Sequence, residues 1–244
     1  MNIDEAIDGG TEGAVSPSDV VDVALELFAK KGYSDAKLEA IATKSGMSKR
    51  MIHYHFGNKR GLYLRSLTEA VHRAYPDPKE LELDSSVPVE GVRKMVDAIW
   101  THMVSHPKEL TLLVGESLHN NAKLKNSAPL ADASELTLHL DKLLMLGQDA
   151  GAFRPGISAE DVFTLITSFA YYRVSLDSVM KNLLDIDMDR PENLSGMHRL
   201  VMDTVLAFLT SNIPATGQSS YLTPEVSDEP QSAAEIYFSD GEFN

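Results

Sequence analysis

The chain of 244 residues contains no cysteine. A disulfide framework, thiol catalysis and any thiolate-held metal or iron–sulfur centre are therefore excluded. No apolar run approaches the roughly 18–20 residues needed to span a bilayer. The longest candidate, Val162–Tyr172, is broken by Thr164, Thr167 and Ser168. The first residues, Met-Asn-Ile-Asp-Glu-Ala-Ile-Asp, lack the positive segment and apolar stretch of a secretion signal. These features predict a soluble, cytoplasmic protein. No phosphate-cradling glycine loop, Ser/His/Asp arrangement or paired-carboxylate motif occurs at a usable spacing, so neither catalysis nor a cofactor is predicted.

Positive charge is also scarce: 22 Lys and Arg stand against 36 Asp and Glu, a formal net charge of −14. Nucleic-acid binding needs cations that displace counterions from phosphate, so the average argues against it. The distribution argues otherwise. Residues 1–19 and 213–244 carry acids and no base, and residues 76–212 have an acidic excess, yet residues 20–75 hold ten basic and five acidic side chains. A basic segment within an acidic chain is the first functional pointer.

What the chain does have is helical periodicity throughout, with no convincing strand alternation, and the predicted fold class is all-α. Residues 1–15 read as a disordered acidic arm. Ser16-Pro17-Ser18-Asp19 reads as a capped helix start, Val20, Val23, Ala24, Leu27 and Phe28 follow at helical spacing, and Gly32 stops the helix. Short helices over 37–45 and 49–55 flank the turn Gly46-Met47-Ser48, and a fourth runs from about 59 to 74. Longer helices are predicted over about 89–106, 108–120, 131–150, 158–182 and 191–211, and Ser158-Ala159-Glu160-Asp161 repeats the start signal of Ser16. This divides the chain into an N-terminal helical unit over 16–66, a larger helical domain over 67–212, and an acidic, disordered tail over 213–244, in which Ile236-Tyr237-Phe238 could dock.

Residues 37–56 have the layout of a helix–turn–helix, in which one helix braces a second in the major groove. Ser48 caps the second helix, and Lys49 and Arg50 stand at its start, where base edges and phosphates would lie. His53, Tyr54 and His55 can donate hydrogen bonds to phosphates. Lys59 opens the next helix, where its charge opposes the helix dipole and an external anion would favour it. Val20–Leu67, through Ala24-Leu25-Glu26-Leu27-Phe28, Gly32-Tyr33, Ile41-Ala42, Gly46-Met47-Ser48 and Tyr54-His55-Phe56-Gly57-Asn58-Lys59, resembles the DNA-binding domain of TetR-family transcriptional regulators. The resemblance implies an all-helical homodimer with three N-terminal DNA-binding helices and a C-terminal domain that dimerises and binds a small effector. It places Lys49 and Arg50 at base-reading positions, His53, Tyr54 and Lys59 at phosphate-contacting ones, and Ser48 at the recognition-helix cap. Two residues depart from the family pattern. Ala36 stands where helix two is usually capped by Thr or Ser, and His53 replaces a customary Tyr, which would make binding pH-sensitive.

Beyond residue 88 the apolar faces of 158–182 and 191–211 are broad, and the resemblance implies that they form a four-helix bundle with a second copy. Pieces between His106 and Phe208 are similar to a branch that includes pyrimidine-responsive regulators, which identifies no effector here. For an effector pocket the candidates are Trp100, Met103, Met145, Phe153, Phe169, Tyr171, Tyr172 and Arg173, large apolar walls with few polar groups. Arg173 needs a partner, either a protein acid such as Glu116 or an anionic effector. His102 and His106, four apart, are too few to predict a metal site. The reading is a ligand-responsive repressor released from a palindromic operator; the alternative is a helical ligand-binding or enzymatic protein that keeps the hairpin as scaffold.

Overall fold

A computed structural model describes residues 15–77, 79, 85–131, 134–214 and 220–222. Among these residues the chain is helical without strands: α1 Pro17–Asp35, α2 Leu38–Ser45, α3 Lys49–Phe56, α4 Lys59–Ala74, α5 Pro88–Ser105, α6 Pro107–His119, α7 Ser134–Asp149, α8 Ala159–Leu184 and α9 Pro191–Thr210, with one 3₁₀ turn at Leu124–Asn126. The disordered arm expected over 1–15, Val15 excepted, most of the tail and its Ile236-Tyr237-Phe238 segment lie outside the described residues.

The local signals explain the boundaries. Ser16 and Asp19 form a reciprocal capping box on α1, with Asp19 N donating to Ser16 Oγ at 3.2 Å and Ser16 N to Asp19 Oδ2 at 2.8 Å. Asp19 is held below the usual carboxylate range chiefly by that backbone hydrogen bond. The helical path of α1 breaks at Gly32 (φ 76°), and one further turn carries it to Asp35. α2 starts after Lys37 without a side-chain cap, one residue later than expected. Pro88, Pro107 and Pro191 each open a helix, the position where a missing N–H costs nothing.

Two packing groups share one core. α1 lies against α4 and α6, and Phe28, Tyr33 and Tyr63 meet there, the Phe28 and Tyr63 rings edge-on with centroids 4.9 Å apart. α5 packs against α7, α8 and α9 through Val92, Met95, Val96, Ile99 and Met103, all fully buried. α4 joins the groups. Its first residues follow α3, and at its far end Tyr75 stacks on Phe163 of α8 (5.6 Å) and shares a hydroxyl–hydroxyl hydrogen bond with Tyr171 (2.8 Å). Burial pushes both tyrosines above their ordinary pKa, so the pair stays neutral.

Candidate nucleic-acid interface and effector cleft

The reading head is built from short-range constraints. Gly46 ends α2 in the left-handed region (φ 79°), and its N–H closes on the Ala42 carbonyl at 3.0 Å. Only glycine takes that conformation without strain. Ser48 then caps α3, its Oγ accepting from Met51 N at 3.3 Å. Ile41, Met47 and Ile52 are buried and fix α3 against the bundle. Lys49, Arg50, His53 and Tyr54, related by steps of three and four, consequently share the outward face of α3 and are exposed, Tyr54 by 79%.

These groups are not equivalent. Lys49 Nζ is paired with Glu39 Oε1 of α2 at 2.6 Å, and that hydrogen bond holds the Glu39 carboxyl below its ordinary range. Arg50 makes no hydrogen bond or ion pair among the described residues. The His53 Nδ1–H donates to the Gly57 carbonyl at 2.8 Å, since a carbonyl can only accept, which leaves Nε2 uncommitted. Tyr54 and His55 rings meet edge-on at 5.2 Å. Lys59 turns back into the protein: Nζ donates to the Ser34 carbonyl at 3.0 Å and lies 4.8 Å from the centre of the Tyr33 ring. Burial lowers its pKa. The predicted cations thus differ: Arg50 has no partner among the described residues, Lys49 is paired to an acid, and Lys59 is partly buried and turned inward.

The Lys49–Glu39 pair has a measurable consequence. An exposed ion pair is weak, and the duplex competes for the same ammonium while repelling Glu39. Glu39→Gln is expected to raise affinity for duplex DNA by a few-fold, with the salt dependence steepened; unchanged affinity in a fluorescence titration would mean that Lys49 does not engage the duplex.

In the C-terminal part, a cleft of about 550 Å³ opens between α8, the 185–190 connection and α9, lined by Ser168, Phe169, Tyr172, Met180, Ile186, Met188, Asn193, Gly196, Met197 and Leu200. The connection is held by Lys181–Asp185 (2.6 Å), Met188 N to Asp177 Oδ1 (2.9 Å) and Asn193 Nδ2 to the Asp187 carbonyl (2.6 Å). Of the effector candidates, the cleft gathers Phe169 and Tyr172. Trp100 is buried against His198, its ring parallel at 6.3 Å, Met103 is in the core, Phe153 is packed on Gly147, and Met145 is exposed on α7. Tyr171 is committed to Tyr75. The methionines and Leu200 that complete the cleft had only a general apolar-face signal in sequence.

Arg173 is buried and pairs with Asp189, and its Nη2 donates to the Val104 carbonyl at 3.3 Å. The partner is thus a protein acid, but not Glu116, the example offered by the sequence, which sits elsewhere, accepting from Ala122 N at 2.9 Å beside Tyr63. The 185–190 connection brings Asp189 back to α8, a contact that helical spacing cannot show. His102 and His106 stack with ring centres 4.9 Å apart, and His106 Nδ1 is bonded to the His102 carbonyl at 2.7 Å. Among the described residues no three His, Asp or Glu side chains are grouped to hold a metal, and no helix is long and apolar enough to cross a membrane.

Comparison with known proteins matches this architecture in both parts. Residues 20–65 match the family model of bacterial regulatory proteins of the tetR family, and residues 88–205 match the tetracyclin repressor-like C-terminal domain. The chain is 29% identical over 171 residues to the HTH-type transcriptional repressor NicS of Pseudomonas putida, covering 69% of this chain and 80% of the relative. It is 26% identical over 168 residues to the HTH-type transcriptional repressor SCO4008 of Streptomyces coelicolor, covering 68% and 81%. The fold is shared with the fatty acid degradation regulator FadR of Bacillus halodurans (TM-score 0.57, 19% identity, 80% of this chain and 97% of that one). It is also shared with a tetR-family regulatory protein from Rhodococcus RHA1 (TM-score 0.59, 17% identity, 79% and 95%). With both its N-terminal and its C-terminal parts matched, the chain belongs to the TetR family of ligand-responsive, DNA-binding transcriptional regulators.

Proposed function

We propose that this regulator is a cytoplasmic repressor that binds a roughly palindromic operator as a homodimer, one α3 in the major groove of each half-site. The observation that carries this reading is the outward face of α3, where Arg50 has no protein partner among the described residues and Lys49 has only an exposed one. Ser48, Lys49, Arg50, His53, Tyr54, His55 and Lys59 are the proposed contacts, Lys49 and Arg50 to base edges and the others to phosphate or, for Ser48, as the cap. Both curated relatives above are named repressors, which favours repression over activation.

The second copy is proposed to pack on the outer face of α8 and α9, where Val179, Leu183, Leu184 and Leu200 are 45–69% exposed. A face of that kind on an isolated copy is what an isologous four-helix contact would cover. The effector is proposed to be a small, largely apolar molecule. Phe169 and Tyr172, already in the cleft, are its first contacts, with Arg173, Trp100, Met103, Met145 and Phe153 as outlying members of the set. Binding there favours a state in which the two recognition helices no longer match the operator spacing.

Selection from random duplex DNA with the full chain tests this. The expected result is enrichment of an inverted repeat whose half-site centres lie about one helical turn apart or a multiple of it, bound by a species of twice the chain mass in sedimentation. Absence of any enriched sequence would overturn the DNA-binding reading and leave the alternative of a helical ligand-binding protein.

A further inference from the structure

The capping boxes that open α1 and α8 have different fates. In α1, Asp19 is exposed and its carboxylate accepts only from Ser16 among the described residues. In α8, the equivalent Asp161 is only 5% exposed. Its Oδ2 accepts from Ser158 N at 3.0 Å, as the box requires, and its remaining capacity is directed at a segment about sixty residues away. Tyr221 N reaches Oδ2 at 3.1 Å and Leu222 N reaches Oδ1 at 2.8 Å. Without that segment, Oδ1 of a buried carboxylate would have no donor among the described residues, an arrangement that costs free energy.

The side chain of Tyr221 is held as well. Its ring lies 5.6 Å from that of Phe208, and its hydroxyl is 3.2 Å from Nη2 of Arg154. Arg154 is itself fixed, its Nε donating to the Phe208 carbonyl at 2.8 Å and its backbone N to the Leu209 carbonyl at 2.9 Å, with the guanidinium 4.5 Å from the Phe208 ring centre. Tyr221 as a whole is 56% exposed, so the segment lies on the surface of the clamp.

We propose that Asp161, Arg154 and Phe208 form a peptide clamp whose resident ligand is the chain's own Tyr221–Leu222 segment. The carboxylate reads two consecutive backbone amides, and the Arg154–Phe208 shelf selects a hydroxylated aromatic side chain at the first position. α9 ends at Thr210 next to Arg154, and six residue steps, at most roughly 20 Å of extended chain, separate Pro214 from Ser220 in sequence. The clamp joins the end of α9, the α7–α8 connection and the first turn of α8. It lies beside Phe163 at the end of α4 remote from α3, roughly 24 Å along a helix of 16 residues. It therefore fixes the point from which the last 22 residues depart, which carry six acids and no base, at the end of the molecule opposite the reading head.

The test uses the full chain. Amide exchange at Leu222, followed by NMR, is expected to be at least about tenfold slower in wild type than in Tyr221→Ala or in Arg154→Ala. Asp161→Asn, which keeps an acceptor for the helix cap but loses the charge, should give an intermediate rate. A fluorescein-labelled peptide of residues 217–224 should bind Tyr221→Ala at least about tenfold more tightly than wild type, in which the tethered segment competes. Equal exchange rates at Leu222 in wild type and Tyr221→Ala, or failure of the peptide to bind Tyr221→Ala, would overturn the clamp.

Discussion

Replacing Lys49 and Arg50 together by alanine is expected to lower operator affinity on the order of a hundredfold or more, because each side chain reading a base edge contributes about 1–3 kcal/mol of discrimination. Neither residue is buried, and α3 is held by Ile52 and the Ser48 cap, so the helical circular dichroism and the thermal midpoint should stay near wild type. The single variants separate the roles. Arg50→Ala removes a cation without a protein partner among the described residues, so its whole effect falls on DNA binding. Lys49→Ala also frees Glu39, whose negative charge would then face the phosphates unneutralised. Both should relax specificity at the base pair that the lost side chain reads. A double variant that binds the selected operator as tightly as wild type would show that another face reads the DNA.

Gly61→Ala should have the second large effect, and its cause is a close approach of backbone to backbone. A Cβ built at Gly61 would lie 2.0 Å from the Phe56 carbonyl oxygen, well inside any tolerable separation. That carbonyl ends α3 and accepts from Asn58 N at 2.8 Å, while Gly61 N is capped by Asn58 Oδ1 at 3.0 Å. No side-chain rotation relieves the clash, so the end of α3 must move away from the first turn of α4. Alanine's better helix propensity returns at most about 1 kcal/mol, against about 1–3 kcal/mol for overpacking. The expected result is a net loss of stability, seen as a thermal midpoint lower by several degrees. Operator affinity should fall at least about tenfold, since sub-ångström placement of α3 decides whether its side chains meet the bases. Gly115→Ala is the matched control: nothing lies within 4 Å of its added Cβ, and the same chemical change there should be neutral or stabilising. Equal behaviour of the two variants would remove the carbonyl approach as the reason for glycine at 61.

Much of the site was legible in the sequence because it rests on interactions spanning three or four residues. The Ser16, Ser48 and Ser158 caps, the Gly46 turn and the outward set Lys49, Arg50, His53 and Tyr54 follow from local hydrogen bonds and helical period. For the same reason most helix starts fall within one to three residues of expectation. Partner choice was not legible. Lys49 finds Glu39 and Lys59 finds the Ser34 carbonyl, while Arg173 finds Asp189 rather than Glu116. Each of these pairs depends on how a turn carries the chain back over a neighbouring helix. The cleft was half legible: Phe169 and Tyr172 lay among the candidates, but Met188 and Asn193 enter it only because the 185–190 connection is tied down by Asp177 and Asp187.

The sequence by itself determined the helices, the basic reading head in an acidic chain, and the exclusion of thiol chemistry, since composition, capping and period act locally and survive any rearrangement of the helices. Only the tertiary structure decided which charges are free to meet DNA and why residue 61 must be glycine. It also decided that the same Ser-x-x-Asp box leaves one carboxylate exposed at Asp19 and closes the other over Tyr221 and Leu222 at Asp161. A carboxylate's partners are set by what packs above it, and that is a property of the assembled chain.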